Sequence, residues 1–343
     1  MLRPEWVNIG GGGAIRGGAL DVTDSSFVGN SAMFDGTDEK GTGGALSAGS
    51  YVRISGCLFT GNKASSFGEV IYATSGISAP IENCTFIGNG RNKQGGQPPY
   101  RSVQRVGLIY VSGGGFTLKN CVIKDNNQHA WGGSFFYAAT ASHCYDCLFE
   151  GNTAMYVAYV NGGTRTDLSF HGCRVVNNVF QYFNAALTEN CLFKGHSFTE
   201  PKQYFGTGPY HNCTFVGNTS KNDSVFSANA QLFNCIVTAD NHVSATASFN
   251  ASHCVWNANG KGNLVGEGNI TDLADDAAIK FVGEGDDPYS IGKDSPARNM
   301  GVNVRGYTRN DPDLAGKRRL CEDLLDIGCY EYNPVMGLMF LFR

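Results

Sequence analysis

The sequence predicts an all-β chain, a parallel β-helix solenoid of about ten coils followed by a C-terminal capping segment. Three observations predict it. One short phrase recurs ten times, its content is too β-rich for helical hairpins of similar period, and glycine is dense throughout. The clearest copies are GCLFTGN (56–62), NCTFIGN (83–89), DCLFEGN (146–152) and NCTFVGN (212–218). Weaker copies are DSSFVGN (24–30), NCVIKDN (120–126), GCRVVNN (172–178), NCLFKGH (190–196), NCIVTAD (234–240) and HCVWNAN (253–259).

Each position of the phrase has a structural assignment. The anchor is Ser25, then Cys57, Cys84, Cys121, Cys147, Cys173, Cys191, Cys213, Cys235 and Cys254. Two residues on lies a large apolar group, from Phe27 to Trp256, and strand alternation puts it on the same face as the anchor. An apolar column three residues before the anchor breaks that parity, so a tight bend must intervene. The residue before the anchor is Asp, Asn or Gly in nine copies and His253 in the tenth, which suits a bend. Five residues after the anchor stands asparagine: Asn30, Asn62, Asn89, Asn126, Asn152, Asn178, Asn218 and Asn259, with His196 and Asp240 in the other two copies. Stacked amides there would form a hydrogen-bonded ladder inside a second corner. Neighbouring coils lie about 4.8 Å apart, so ten make a rod roughly 48 Å long. Successive anchors are 18 to 37 residues apart. That variation implies insertions near 31–42, 90–105 and 125–133. The solenoid is expected over 1–262, C-terminal coils or a cap over 263–332, and a short apolar tail over 333–343.

Composition agrees with this reading. There are 46 glycines in 343 residues, and only 16% of residues are charged, against about 25% in ordinary domains. A net charge of −4 supports neither nucleic acid nor an anionic membrane as partner. The apolar run Val335 to Phe342 is too short for a transmembrane span, which needs about 20 residues. It is either a remnant of a sorting signal or a last strand packing on the rod. Met1 to Gly10 lacks the apolar core of a signal peptide. The chain is therefore expected to be a fragment of a longer secreted protein, or to have a late-assigned start. Of the 12 cysteines, nine occupy the inward anchor position as small apolar filler. The favoured state is a reduced stack, with occasional bridges left open. A bridge between Cys321 and Cys329 is a separate option. Cys144 and Cys147 form a lone CxxC, which lacks the second pair of a metal site.

The phrases GGAI (12–15), GGAL (17–20 and 43–46), FVGN (27–30 and 215–218), FTGN (59–62), FIGN (86–89) and FEGN (149–152) resemble the paired GGA[IL] and FxxN repeats of the polymorphic outer-membrane protein family. That resemblance implies the pectin-lyase-like, right-handed β-helix. SPARNMG (295–301), DLAGKRR (313–319) and DIGCYEY (326–332) resemble the C-terminal signature of bacterial secreted proteins with a choice-of-anchor Q domain. Cys329 stands where that signature has alanine. Together the resemblances imply an extracellular or cell-surface bacterial protein.

Two functions follow. One is a non-enzymatic surface protein binding polysaccharide or cell-surface glycan. The other is a polysaccharide lyase or glycoside hydrolase acting on acidic polysaccharide, with calcium as cofactor if it is a lyase and none otherwise. Lyase chemistry needs converging carboxylates or a basic residue on one sheet. Asp125, Asp146, Glu150 and Asp167 lie in neighbouring coils but at different phases. Asp146 is expected to be a turn residue, and the histidines near the anchors (His143, His171, His211, His253) to be exposed bend residues. The candidate ligand surface is a third column in the strands VIYAT, LIYVS, FFYAA and VAYVN, namely Tyr72, Tyr110, Tyr137 and Tyr159. Phe183 and Phe226 align with it by pattern. Facing out, the column is an aromatic platform for sugars. Facing in, it is core. The alternative glycan site is the 90–105 insertion with Arg91, Arg101 and Arg105.

Overall fold

The computed structural model describes residues 13–32, 41–64, 67–90, 107–128, 134–160, 168–198, 204–221, 224–241, 243–244, 246–258, 262–321 and 323–334, without the side chains of 50, 155, 158–160 and 181. Asn259, the three insertion arginines, Asp167 and the apolar tail fall outside this set. So does most of each expected insertion. The described chain is nearly all parallel strand, with one short 3₁₀ helix, Asp276–Ile279. It forms long parallel stacks compatible with a parallel β-helix solenoid: an 18-stranded sheet, a 10-stranded sheet and two 2-stranded sheets. The 10-stranded sheet takes one strand from each copy of the phrase, from Ser26–Val28 to Val255–Trp256.

The bend before the anchor has one physical signature. Asp24, Gly56, Asn83, Asn120, Asp146, Gly172, Asn190, Asn212, Asn234 and His253 all hold φ between 46° and 64°, the left-handed region that glycine, Asn and Asp tolerate best. Glycine appears where the neighbouring rung demands it. A Cβ at Gly56 would meet Asp24 Oδ1, and one at Gly172 would meet Asp146 Oδ1. The turn flips the chain's facing, so the anchor and the column three before it both point inward. Cys57, Phe59 and Ile54 are all buried. Inward phenylalanines stack rung on rung, with Phe27–Phe59 at 5.1 Å and Phe59–Phe86 at 4.9 Å, nearly parallel.

The second corner is held by side-chain amides. In Asn62 the backbone N–H and Nδ2 both donate to Asn89 Oδ1, at 2.9 and 3.0 Å. Nδ2 also donates backward to the carbonyl of Phe27 at 2.9 Å. The same arrangement runs through Asn89, Asn126 and Asn152, and Asn30 enters it by donating to Asn62. Each amide thus bridges three rungs at a corner that water does not reach. His196 interrupts the run between Asn178 and Asn218. Its Nε2 accepts from the N–H of Phe180 at 3.3 Å, while Nδ1 is buried without a partner. Beyond it, Asn218 Nδ2 donates to Asn241 Oδ1 at 2.8 Å. Asn241 therefore takes the place that the phrase assigns to Asp240.

The nine anchor cysteines, Cys144 and Cys329 are free thiols, so Cys329 forms no bridge to Cys321. Anchor thiols lie close to the carbonyl two residues back, at 3.2 Å for Cys84, Cys147 and Cys191. Burial pushes the Cys144 thiol well above its ordinary value. One further short strand follows the last copy of the phrase. Asn263–Leu264 pairs with Ser248–Ser252, and Asn269 Oδ1 accepts from the N–H of Cys254 at 3.0 Å. Asn269 there does what a cysteine sulfur does below, since Cys235 N–H meets Cys254 Sγ.

The segment that follows is the stretch for which C-terminal coils or a cap were expected. It runs back along the flank of the stack, over the outward face of the 10-stranded sheet. Leu192 packs with Leu314, Cys329 and Tyr330, and Ile236 and Val255 pack with Ile279, Ile291 and Ile327. Arg174 pairs with Asp287 at 2.7 Å, and the amide of Asn234 exchanges hydrogen bonds with the backbone of Val302. Inside this strap the signature residues form a buried polar knot. Asp313 accepts from the N–H groups of Ala315, Lys317 and Glu331, and Asp326 from those of Asn299 and Tyr332. Arg319 is fully buried, donates to the carbonyl of Gly328 at 2.6 Å and faces Glu331 at 3.7 Å. Burial pushes the Glu331 carboxyl up to about 9 against the pull of Arg319.

Three predictions test this fold. Asn152→Ala removes the amide from a fully buried corner and leaves backbone groups unpaired, which costs about 1–3 kcal/mol; urea unfolding checks it, and an unchanged midpoint would show that the corner is wet. Burial lowers His196 from 6.5 to about 3, so the unfolded chain binds the extra proton. Stability should therefore be full above about pH 6.5 and fall as pH drops toward 3, by up to about 1.4 kcal/mol per pH unit. A His196→Asn variant, which does not titrate, should have a flatter profile over that window. Finally, native protein should resist alkylation at its anchor cysteines and react at them after unfolding; four or more disulfides by mass spectrometry would overturn the free-thiol stack.

Candidate functional site

Alternation decides which way the tyrosine column points. In Ile71–Ala73 the flanking residues are buried in the main core while Tyr72 is half-buried. Ile109 and Val111, and Phe136 and Ala138, face inward in the same way. Tyr72, Tyr110 and Tyr137 are in register and point outward. Their rings stack at 5.6 Å for Tyr72–Tyr110 and 4.2 Å for Tyr110–Tyr137. Yet Tyr110 and Tyr137 are only 5% and 2% exposed. The column is thus neither inner core nor an open platform, except at Tyr72. The backbone of Tyr159 continues the register from Tyr137; its side chain is outside the described set.

Phe183 and Phe226 do not belong to this column. Both are buried in the inner core. The outward residue beside Phe183 is Tyr182, which pairs in register with Tyr156 on one side and Tyr204 on the other. Tyr156 and Tyr182 stack at 5.0 Å, and Tyr204 meets Tyr182 edge-on at 6.0 Å. All three are half-buried. Tyr72, for its part, lines an open cleft of about 520 Å³ with Arg16, Thr42, Ser47 and Thr74.

A second outward constellation lies on the strands just before the anchors. In register, His143 neighbours Ser169, Tyr145 neighbours His171, and His171 neighbours Glu189, which neighbours His211. Ser169 Oγ lies 2.9 Å from His171 Nε2 and 2.6 Å from His143 Nδ1. His171 Nδ1 lies 3.2 Å from Glu189 Oε1. Arg305 reaches over from the strap and donates to Glu189 Oε2 at 2.8 Å. The His171 ring stacks on Tyr145 at 4.7 Å. Burial raises the Glu189 carboxyl, but its hydrogen bond to His171 and the charges of His171 and Arg305 outweigh this and hold it below its ordinary range. Burial lowers His143 and His211, which keeps both neutral near pH 7. The expectation of exposed bend histidines is corrected here. His143, His171 and His211 lie in strands, partly buried, and His253 is a half-buried bend residue. The sequence did carry a signal: His171, Glu189 and His211 share the position two before the anchor.

Asp125 and Asp146 both sit in left-handed bends, and Glu150 is paired with Lys124 at 2.9 Å. Among the described residues no group of three or more His, Cys, Asp and Glu side chains is arranged to hold a metal ion, and no helix is long and apolar enough to cross a membrane. No protein-family model matches the chain, and no curated protein matches it either.

Proposed function

We propose that this chain is a secreted or cell-surface protein that binds polysaccharide or cell-surface glycan along its side. In this reading it is a right-handed parallel β-helix of about ten coils, related to the pectin-lyase-like proteins and to the two families its motifs resemble. The observation that carries the reading is the outward, half-buried row of Tyr156, Tyr182 and Tyr204 on successive rungs. A polymer of repeating rings is best matched by a surface that repeats, and parallel strands repeat every ~4.8 Å. Tyrosine offers an apolar face to a sugar ring and a phenol to its hydroxyls. Tyr72 supplies a similar ring in the cleft beside Arg16, where a chain end or branch would find both an aromatic face and hydroxyl partners. Tyr110 and Tyr137 lie between the two surfaces and, being covered, act as their support.

The test is a glycan array, followed by titration of the best ligand. Replacing Tyr182 and Tyr204 together with alanine should weaken binding by about 1–3 kcal/mol, as expected of modest interface anchors, with an unaltered circular dichroism spectrum. A folded double variant that binds as tightly as the parent would remove this surface from consideration.

A further inference from the structure

We propose that Ser169, His171 and Glu189 form an acyl-transfer site that hydrolyses esters. The argument begins with hydrogen counting. A serine hydroxyl carries one hydrogen, and a neutral imidazole has one donor and one acceptor. Glu189 Oε1 is an acceptor 3.2 Å from Nδ1, so a neutral His171 directs its one hydrogen there. Nε2 is then an acceptor, and the Ser169 Oγ–H points to it across 2.9 Å. His143 donates from Nδ1 to the other side of Oγ at 2.6 Å. This is the arrangement of a nucleophile, a general base and a group that orients the base. It recurs on unrelated folds and is recognised by geometry and roles.

The site also has access and support. Ser169 is 6% exposed, but the side chains of His171 and Glu189 are 20% and 15% exposed. Ser169 and His171 are two residues apart on one strand, so they share a face, and Glu189 is fixed one rung away by the parallel register. Arg305 and the Tyr145 ring hold Glu189 and His171 from outside. His211 and Tyr307 complete the titratable surroundings, on the next rung and on the strap.

In the reaction, Ser169 Oγ bonds to the ester carbonyl carbon as its proton passes to His171 Nε2. The bond from that carbon to the alcohol oxygen breaks, and His171 returns the proton to the departing oxygen. Water then adds to the acyl-serine, giving one proton to His171, which passes it to Ser169 Oγ as the carboxylic acid leaves. The sum is ester plus water to acid plus alcohol. His143, on the other side of Oγ, is a positioning residue that holds the Ser169 hydroxyl.

The experiment uses the full chain with p-nitrophenyl acetate and, separately, a fluorophosphonate probe. The expected result is a single phosphonyl adduct on the peptide carrying Ser169, formed in native protein and abolished by denaturation. S169A should lower the acetate hydrolysis rate by about 10³-fold, and E189Q should lower kcat more than it raises KM. The adduct needs no variant, so a misfolded S169A leaves the test intact. Absence of the adduct from native protein, or S169A hydrolysing at the parent rate, would overturn the proposal and mark the chain of bonds as structural. Neither outcome bears on glycan binding, which the tyrosine variants read separately.

Discussion

Everything in this molecule depends on satisfying buried backbone at a corner. A rung of this stack has no core of its own, and the turn after each phrase lies inside. Its N–H groups cannot reach water, and an unpaired one is costly. The asparagine amide resolves this by accepting, at Oδ1, the backbone N–H of the preceding rung's asparagine and donating, from Nδ2, to that rung's phenylalanine carbonyl and to the next amide oxygen. The solution needs the amide near a set offset from the anchor and the intervening aromatic, with Asn241 one residue late. That is why the seven-residue phrase hardly varies while the spacing between anchors runs from 18 to 37. Length variation is confined to parts of the rung that the ladder does not span.

The strap shows the same constraint met differently. It has almost no regular strand, yet carboxylates take the place of a ladder for several of its backbone N–H groups. Asp313 and Asp326 each gather backbone N–H groups that no neighbouring strand would satisfy. Arg319 compensates their charge from a fully buried position. A buried ion of this kind is weak evidence for added stability but strong evidence for a specified geometry, since removing one partner strands the others. The geometry specified here presses Leu314, Cys329 and Tyr330 onto Leu192 and carries Arg305 to Glu189. The motif that looked like a family signature is thus a folding device whose consequence reaches the flank of the stack.

What the sequence made legible follows from this. Strand parity, the bend before the anchor and the amide corner are local, and each leaves a residue type at a fixed offset. Facing in the variable strands was not legible. QYFNA aligns with VIYAT by pattern, which puts Phe183 beside Tyr72, but the paired register puts Tyr182 outward and Phe183 in the core. Tyr182 pairs with Tyr156, so Phe183 does not stand in line with Tyr159, and no local residue marks that shift. The lateral course of the strap was equally hidden. It depends on outward positions such as Thr214 and Ile236, whose burial is visible only once their cover is in place.

The Ser169 constellation lies between these cases. Its members occupy fixed phases, so a table of the position two before each anchor would have grouped His171, Glu189 and His211. What sequence lacks is the vertical step. His171 and Glu189 are 18 residues apart in the chain and become neighbours only because a rung closes between them. The parallel stack then does for free what loops must do in other folds. It sets side chains side by side at the strand spacing, on a backbone locked by hydrogen bonds above and below. An outward polar column on such a lattice is preorganised before any ligand arrives. The aromatic rows gain from the same rigidity, since rings held in register lose little freedom on meeting a partner. The repeat therefore acts on the outward columns through spacing alone. It dictates none of the outward residues, but it fixes the distance at which any two of them meet.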